Sequence, residues 1–275
     1  LPNREVIEIS GSDRLGWMHS LTSQHLESLE PGESFAALVL SPNGHIEHVL
    51  AGVDDGERML AWTEPGRGAA LVDFLERMRF MMRVEVGLRD DLRLAWAGDG
   101  VTIPAGWAAR PALGGREVFR PAAAPLPEGV PAGVWAFDAH RIASGTPRIF
   151  ADTDARTIPN EIGLFGTHLD KGCYRGQETV ARVHNLGRPP RRLTLLHLDG
   201  SAEALPAPGA ALELNGRQVG FAGSSARHHE LGPIALGLVK RAIPVDATLT
   251  ADGIAAAQET LVDPEVGLHF RARLR

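Results

Sequence analysis

The chain has 275 residues, 44% apolar and 23% charged, the make-up of a globular protein with one large domain or two to three small ones. No apolar run approaches the roughly 20 residues of a membrane-spanning helix, and a formal charge of −6 argues against a general nucleic-acid coat. The single cysteine, Cys173, excludes an intrachain disulfide and any site built from several of the chain's own thiols.

The first predicted element is a helix over 12–23. Ser12 or Asp13 can cap it, and Leu15, Met18 and Leu21 recur on one face. Pro31-Gly32 closes that unit. From Ser34 the pattern changes to three apolar-rich runs separated by Pro42-Asn43-Gly44 and Asp54-Asp55-Gly56. Asn-Gly and Asp-Gly tolerate the positive φ of tight hairpin turns, so this stretch predicts an antiparallel meander. After Glu64-Pro65-Gly66, Leu71, Leu75 and Met78 predict a helix, followed by strands in MMRVEVG and LRLAWAG. Residues 98–133 are rich in Gly, Ala and Pro and carry little period, and strands are expected there. Asp138 caps a short expected helix that Gly145 ends, 146–172 reads as a long structured loop, and GQETVARVH reads as another helix. Pro189-Pro190 then introduces short strands with turns, including an Asn215-Gly216 hairpin. An α+β body followed by a small β-barrel fits this order. No stretch has the make-up of a signal peptide, so the expected location is cytoplasmic.

The chemistry concentrates in residues 171–192. Six cations (Lys171, Arg175, Arg182, Arg188, Arg191 and Arg192) stand there against Glu178 alone, a net +5 inside a chain of −6. Such a reversal suits an anionic ligand in a cleft, or equally a solvated basic helix face. Cys173 lies two residues from both Lys171 and Arg175 and just before the expected helix, a setting that favours thiolate. The alternative is a small buried hydrophobe. His168 and His184 are near enough in sequence to be candidate partners for the thiol. His45 with His48, and the adjacent His228 with His229, have poor spacing for a metal on a strand. His19 has the look of a satisfied surface residue. Stacking aromatics are absent from the basic window beyond Tyr174, so stable nucleic-acid binding is not expected.

Lys171-Gly172-Cys173-Tyr174-Arg175-Gly176-Gln177-Glu178 resembles the K-G-C-[FY]-x-G-Q-E signature of YgfZ-type proteins. These are the folate-binding branch of the superfamily that includes the glycine-cleavage T-protein, an aminomethyltransferase. The opening GSDR, the SPNGHIEH meander, RIASGTPR and IPNEIGL lie in the family's order, so the resemblance runs along the whole chain. It implies an α+β fold of two interleaved antiparallel-sheet and helix domains around a central channel, with a C-terminal β-barrel. The implied boundaries are a folate-binding region over 1–187 (roughly 1–40 with 138–187, and 41–137) and a barrel over 188–275.

The resemblance implies tetrahydrofolate, or a one-carbon derivative, as ligand. Its implied role is an accessory one, supporting assembly or repair of iron–sulfur enzymes, including those that modify tRNA. The implied partners are reduced folate and iron–sulfur enzymes or assembly proteins, without a membrane. By position, Lys171 and Cys173 are the functional pair, with Cys173 a reactive or cluster-contacting thiol. Glu161 matches the T-protein glutamate that faces the pterin, while Tyr174, Arg175, Arg182 and Arg188 are candidate folate contacts. One feature departs from the pattern. The T-protein's catalytic aspartate falls at Glu47-His48 here. If the position is the histidine, no carboxylate remains to activate an aminomethyl nitrogen. If the register slips to Glu47, the side chain changes face. The alternative function is therefore a folate-dependent aminomethyltransferase, a one-carbon transferase acting on an amine.

Overall fold

The structure, a computed structural model, describes residues 1–265. It contains two compact units, each assembled from separate stretches of chain.

The first unit comprises Leu1–Ser41, Glu47–Val134 and Gly166–Arg175. Its strands begin with β1 (Glu5–Ser10), β2 (Ser34–Leu40), β3 (Ile46–Asp54), β4 (Arg58–Thr63) and β5 (Glu85–Leu88). They form one sheet in the order β2-β3-β4-β1-β5. The expected meander is its β2-β3-β4 edge, and β1 adds antiparallel to β4. Helices α1 (Arg14–Leu21) and α2 (Gly68–Met78) contribute Trp17, Met18, Leu71 and Leu75 to a core shared with Ile7, Ile9, Leu50 and Met59. Burying such side chains is worth roughly 1.5–3 kcal/mol each, and here it joins both helices to the sheet.

Two details differ from the expected pattern. Asp13 flanks α1 but makes no side-chain cap, because its carboxylate is taken by Arg83. Met78, expected on the buried face of α2, is exposed at its end. Buried Arg14 joins the start of α1 to Asp54 at the end of β3, with bonds of 2.7 and 2.8 Å. The Gly/Ala/Pro-rich region forms a second sheet with β6 (Leu92–Gly98), β7 (Ala108–Ala112) and β8 (Gly115–Pro121), ordered β6-β8-β7.

The second unit comprises Pro42–Ile46, Trp135–Phe165 and the described residues from Gly176 onward. It contains α3 (Val134–Ala143), a 3-10 turn at Pro159–Ile162 and α4 (Gln177–Asn185). Helix α3 starts before Asp138, whose carboxylate pairs with Arg141 at 3.3 Å instead of capping. Six further strands follow: β9 (Arg191–Leu198), β10 (Ala211–Leu214), β11 (Arg217–His228), β12 (Gly232–Lys240), β13 (Leu249–Ala251) and β14 (Ile254–Thr260). They close into a barrel in the order β10-β11-β12-β9-β14-β13, filled by Leu196, Leu212, Val239 and their neighbours. Asn215 and Gly216 both have positive φ, as the hairpin turn requires. Among the described residues no helix is long and apolar enough to cross a membrane.

Candidate functional site

The signature loop alternates inward and outward. Lys171 and Tyr174 are buried, whereas Gly172, Cys173 and Arg175 are exposed. The Lys171 ammonium donates to the Thr22 carbonyl at 2.7 Å and to the His19 carbonyl. Both acceptors lie at the C-terminal end of α1, where carbonyls lack helical partners and the helix dipole favours a cation. Lys171 therefore caps a helix from more than a hundred residues away. Its ammonium also lies 5.0 Å from the centre of the Tyr174 ring. Burial pulls the Lys171 pKa down to about 8, against the opposing influence of Glu27 and Cys173. Burial likewise pushes the Tyr174 hydroxyl up to about 12. Cys173, a free thiol, stands exposed between these two anchored neighbours.

Histidines gather near the same end of α1. His19 meets His25 edge-on with ring centres 4.8 Å apart, and His25 lies 5.7 Å from His168. His19, His25 and Glu27 bring possible ligand atoms within 4.8 Å of one another. However, Nδ1 of His19 accepts the Leu26 amide at 3.2 Å, so the neutral ring carries its proton on Nε2. Metal binding through Nε2 would set two N–H groups against each other at Nδ1. The trio is better suited to hydrogen bonding than to holding an ion. Burial first, and the charge of Lys171 second, lower the His19 pKa.

Arg175 connects the loop to β3 and α2. Its guanidinium pairs with Glu47 at 2.9 Å and lies 5.8 Å from the Phe74 ring centre. Glu47 is thus engaged. His48 is 6.0 Å from Phe74, and its buried Nδ1 has no partner. Burial, helped by the charge of Arg67, lowers the His48 pKa to about 4, so the ring is neutral at pH 7.

In the second unit Glu161 is fully buried on the 3-10 turn, and both of its oxygens are occupied. Oε1 accepts Arg191 Nε at 2.7 Å. Oε2 accepts Arg191 Nη2 at 2.9 Å and the Ile158 amide at 3.1 Å. Arg191 also binds Asp154 at 2.6 and 3.0 Å. Against the pull of burial, the two carboxylates raise the pKa of Arg191, and Arg191 holds Asp154 at about 2. Next to Glu161, Asn160 donates to the Val180 carbonyl at 3.2 Å, but its buried Oδ1 has no partner. Arg182 is exposed on α4, and the exposed Arg188 pairs with Glu265 at 2.5 Å.

These placements correct the reading of the basic window as one anion-binding patch. Lys171 is buried against carbonyls, Arg191 is held by two acids, and Arg192 is fully buried against Lys240 and Gln258. Arg182 and Arg188 keep exposed guanidinia. Tyr174 packs beneath Lys171 and does not offer a free face for stacking. The Glu161–Arg191 pair and Asn160 escaped sequence reasoning, since their partners are 30 and 20 residues away and leave no local signal.

No family model matches the chain. It is 25% identical over 279 aligned positions to a chloroplastic protein of Arabidopsis thaliana named as a transferase, covering 86% of this chain and 63% of that protein. It is 33% identical over 120 residues to the tRNA-modifying protein YgfZ of Aliivibrio fischeri (41% of this chain, 36% of that one). With the Escherichia coli YgfZ it shares 45% over 76 residues, 26% of this chain and 23% of that protein. The chain thus spans less than two thirds of each of these relatives. Its fold matches the crystal structure of the glycine cleavage system aminomethyltransferase T from Bartonella henselae. The TM-score is 0.74 at 17% identity, covering 94% of this chain and 83% of that one. The signature octapeptide, the YgfZ alignments and this fold agree: in sequence the chain is similar to YgfZ proteins over part of its length, and in fold to the aminomethyltransferase.

Proposed function

We propose that the chain is a tetrahydrofolate-binding accessory protein that supports iron–sulfur enzymes, with Cys173 as its reactive thiol. The observation that carries this reading is the division of the signature loop into two buried anchors, Lys171 and Tyr174, and one presented thiol. A cysteine kept only for packing would be buried. One thiolate cannot hold a [4Fe–4S] cluster, which takes four. Cys173 therefore contributes a single contact to a cluster held mainly by a partner. The relatives named tRNA-modifying proteins support this reading, because it concerns enzymes of that kind.

The donor set of the second unit fits a reduced folate in a modified way. A pterin presents amino and ring N–H groups that require acceptors. Asn160 Oδ1 is buried and unpartnered, whereas both oxygens of Glu161 are already occupied. Asn160 is thus the available pterin acceptor, and Glu161 with Arg191 holds the turn that carries it. Arg182 offers a guanidinium for the carboxylates of the glutamate tail, and Arg188 would join it by exchanging Glu265 for the ligand.

Titration calorimetry with tetrahydrofolate tests the ligand. Saturable binding, weakened at least tenfold in Asn160→Ala, is expected, and no binding by the folded wild type would reject folate. In cells lacking their own copy, Cys173→Ser should bind folate yet fail to restore iron–sulfur enzyme activity. Full restoration would remove the thiol from the reading.

The second reading, a folate-dependent aminomethyltransferase, draws on the relative named as a transferase. Neutral His48 in place of an aspartate, with Glu47 held by Arg175, speaks against it. Formation of methylenetetrahydrofolate from an aminomethyl donor, beside a competent T-protein control, separates the two.

A further inference from the structure

Within the first unit, the turn after α1 is sewn to the chain that leads into the signature. Ser23 Oγ donates to the Gly166 carbonyl at 2.7 Å, and the His168 amide donates to the Ser23 carbonyl at 2.9 Å. Lys171 adds its bonds to the carbonyls of His19 and Thr22. Residues 166–171, which lead to Cys173, therefore take their position from residues 19–26.

That turn is closed by an imidazole. The Leu26 amide donates to His19 Nδ1 at 3.2 Å, seven residues back along the chain. Leu26 has no exposed surface and lies in the core with Trp17 and Met18, so water has no room to replace the ring as acceptor. Neutral histidine can accept because one ring nitrogen carries no proton. Protonated histidine cannot, since both nitrogens are then donors. Its Nδ1–H would point straight at the Leu26 N–H.

The surroundings reinforce this. The groups that face the ring are Lys171 and His168 from the signature side, and His25 and Glu27 from the turn. His25 stands between the other two rings, 4.8 Å from His19 and 5.7 Å from His168. Glu27 is the one acid of the group, and it is exposed. A proton arriving on His19 thus meets a half-buried site beside the Lys171 ammonium, and burial with that charge lowers the ring's pKa below 6.5.

We propose that His19 is an acid-sensitive latch on the signature loop: protonation turns its Nδ1 from acceptor to donor, releases the Leu26 amide, and loosens the turn on which residues 166–171 rest. The latch is closed at neutral pH and opens below about pH 6.5, where histidine titrates. It makes the presentation of Cys173 depend on pH. That functional meaning rests on the reading of Cys173 as the reactive thiol, whereas the latch itself is a property of the turn.

Amide hydrogen exchange of the whole chain, followed by NMR between pH 7.5 and 5, tests the latch. Protection factors at Leu26 and His168 should fall at least threefold with acid in the wild type, with the midpoint of the His19 ring titration seen in the same samples. In His19→Asn, whose side-chain oxygen can stand where Nδ1 stood and does not titrate, they should stay level. His19→Leu, which has no acceptor, should show the lowered protection at every pH. Leu238, fully buried in the barrel strand β12, should keep its protection throughout. Equal acid responses in the wild type and His19→Asn, no response in either, or a midpoint away from the ring titration overturns the latch. A parallel fall at Leu238 assigns the change to global unfolding and overturns it too. Where a variant does not fold, the match of midpoints in the wild type decides alone. None of these readouts uses folate or the thiol, so full restoration by Cys173→Ser would reject the role of Cys173 and leave the latch standing.

Discussion

Arg191 holds Glu161 through two hydrogen bonds, 2.7 Å to one carboxylate oxygen and 2.9 Å to the other, at the start of the first barrel strand. A carboxylate with no exposed surface is thereby neutralised by a residue of another element. The pair ties the turn bearing Asn160 to the barrel.

Arg191→Met should accordingly be strongly destabilising. It would leave Glu161 buried without its cation, and breaking such a pair costs about 3–5 kcal/mol. Asp154, partly exposed, can return to water and contributes less. The double variant Arg191→Met/Glu161→Gln should recover much of the loss, since it removes both charges. Urea unfolding checks both. A loss below about 1 kcal/mol in the single variant would show that the pair does not hold the turn.

Lys171 gives a pH dependence of definite sign. Its folded pKa is about 8, below the ordinary lysine value of 10.5. Between these values the unfolded chain binds more protons than the folded one, so this group makes stability rise with pH. Its penalty is fully present at pH 7 and fades from about pH 8 toward 10.5. Relative to Lys171→Met, the wild type should gain about 1–3 kcal/mol across that window. The comparison is best read below pH 10, where Tyr174, raised to about 12, does not yet titrate. Parallel curves for the two proteins would contradict the assigned burial.

Much of the fold was legible because its signals are local. Asp54-Asp55-Gly56 and Asn215-Gly216 mark their turns by the conformations those residues tolerate, and the structure has turns there. Strands were expected within 98–133 and β7 and β8 lie there, but their bounds were not legible, because the Ala- and Pro-rich β7 is only half-buried and shows no alternation. The signature itself was legible because it is contiguous. What its residues touch was not: Lys171 reaches carbonyls 149 and 152 positions away. Summing charge over residues 171–192 failed for the same reason. It treats every cation as free, whereas Arg191 and Arg192 turn into the second unit.

Two glycines of the signature should behave oppositely. Gly176 has a φ of +83°, and it lets the chain turn from Arg175 into α4. Alanine there should destabilise by about 1–2 kcal/mol through left-handed strain. Gly172 has no positive φ and nothing within 4 Å of an added Cβ, so Gly172→Ala should change stability by no more than about 0.5 kcal/mol. Alkylation of Cys173 gives a second readout, with the Gly176 variant displaced from the wild-type rate and the Gly172 variant closer to it. Equal unfolding midpoints would contradict the strain argument.

His48 provides a test at acid pH. Its folded pKa of about 4 lies below the ordinary histidine value of 6.5. Between these values the unfolded state again binds more protons, so the sign matches that of Lys171 in a different window. This contribution is fully available above about pH 6.5 and is lost as pH falls toward 4. Neutral His48→Asn cannot titrate, so it should lack about 1–3 kcal/mol of that acid dependence. NMR titration of the ring supplies an independent check. A His48 pKa near 6.5 would mean that the imidazole beside Phe74 is hydrated, and would remove the reason to regard it as a permanently neutral replacement for a catalytic carboxylate.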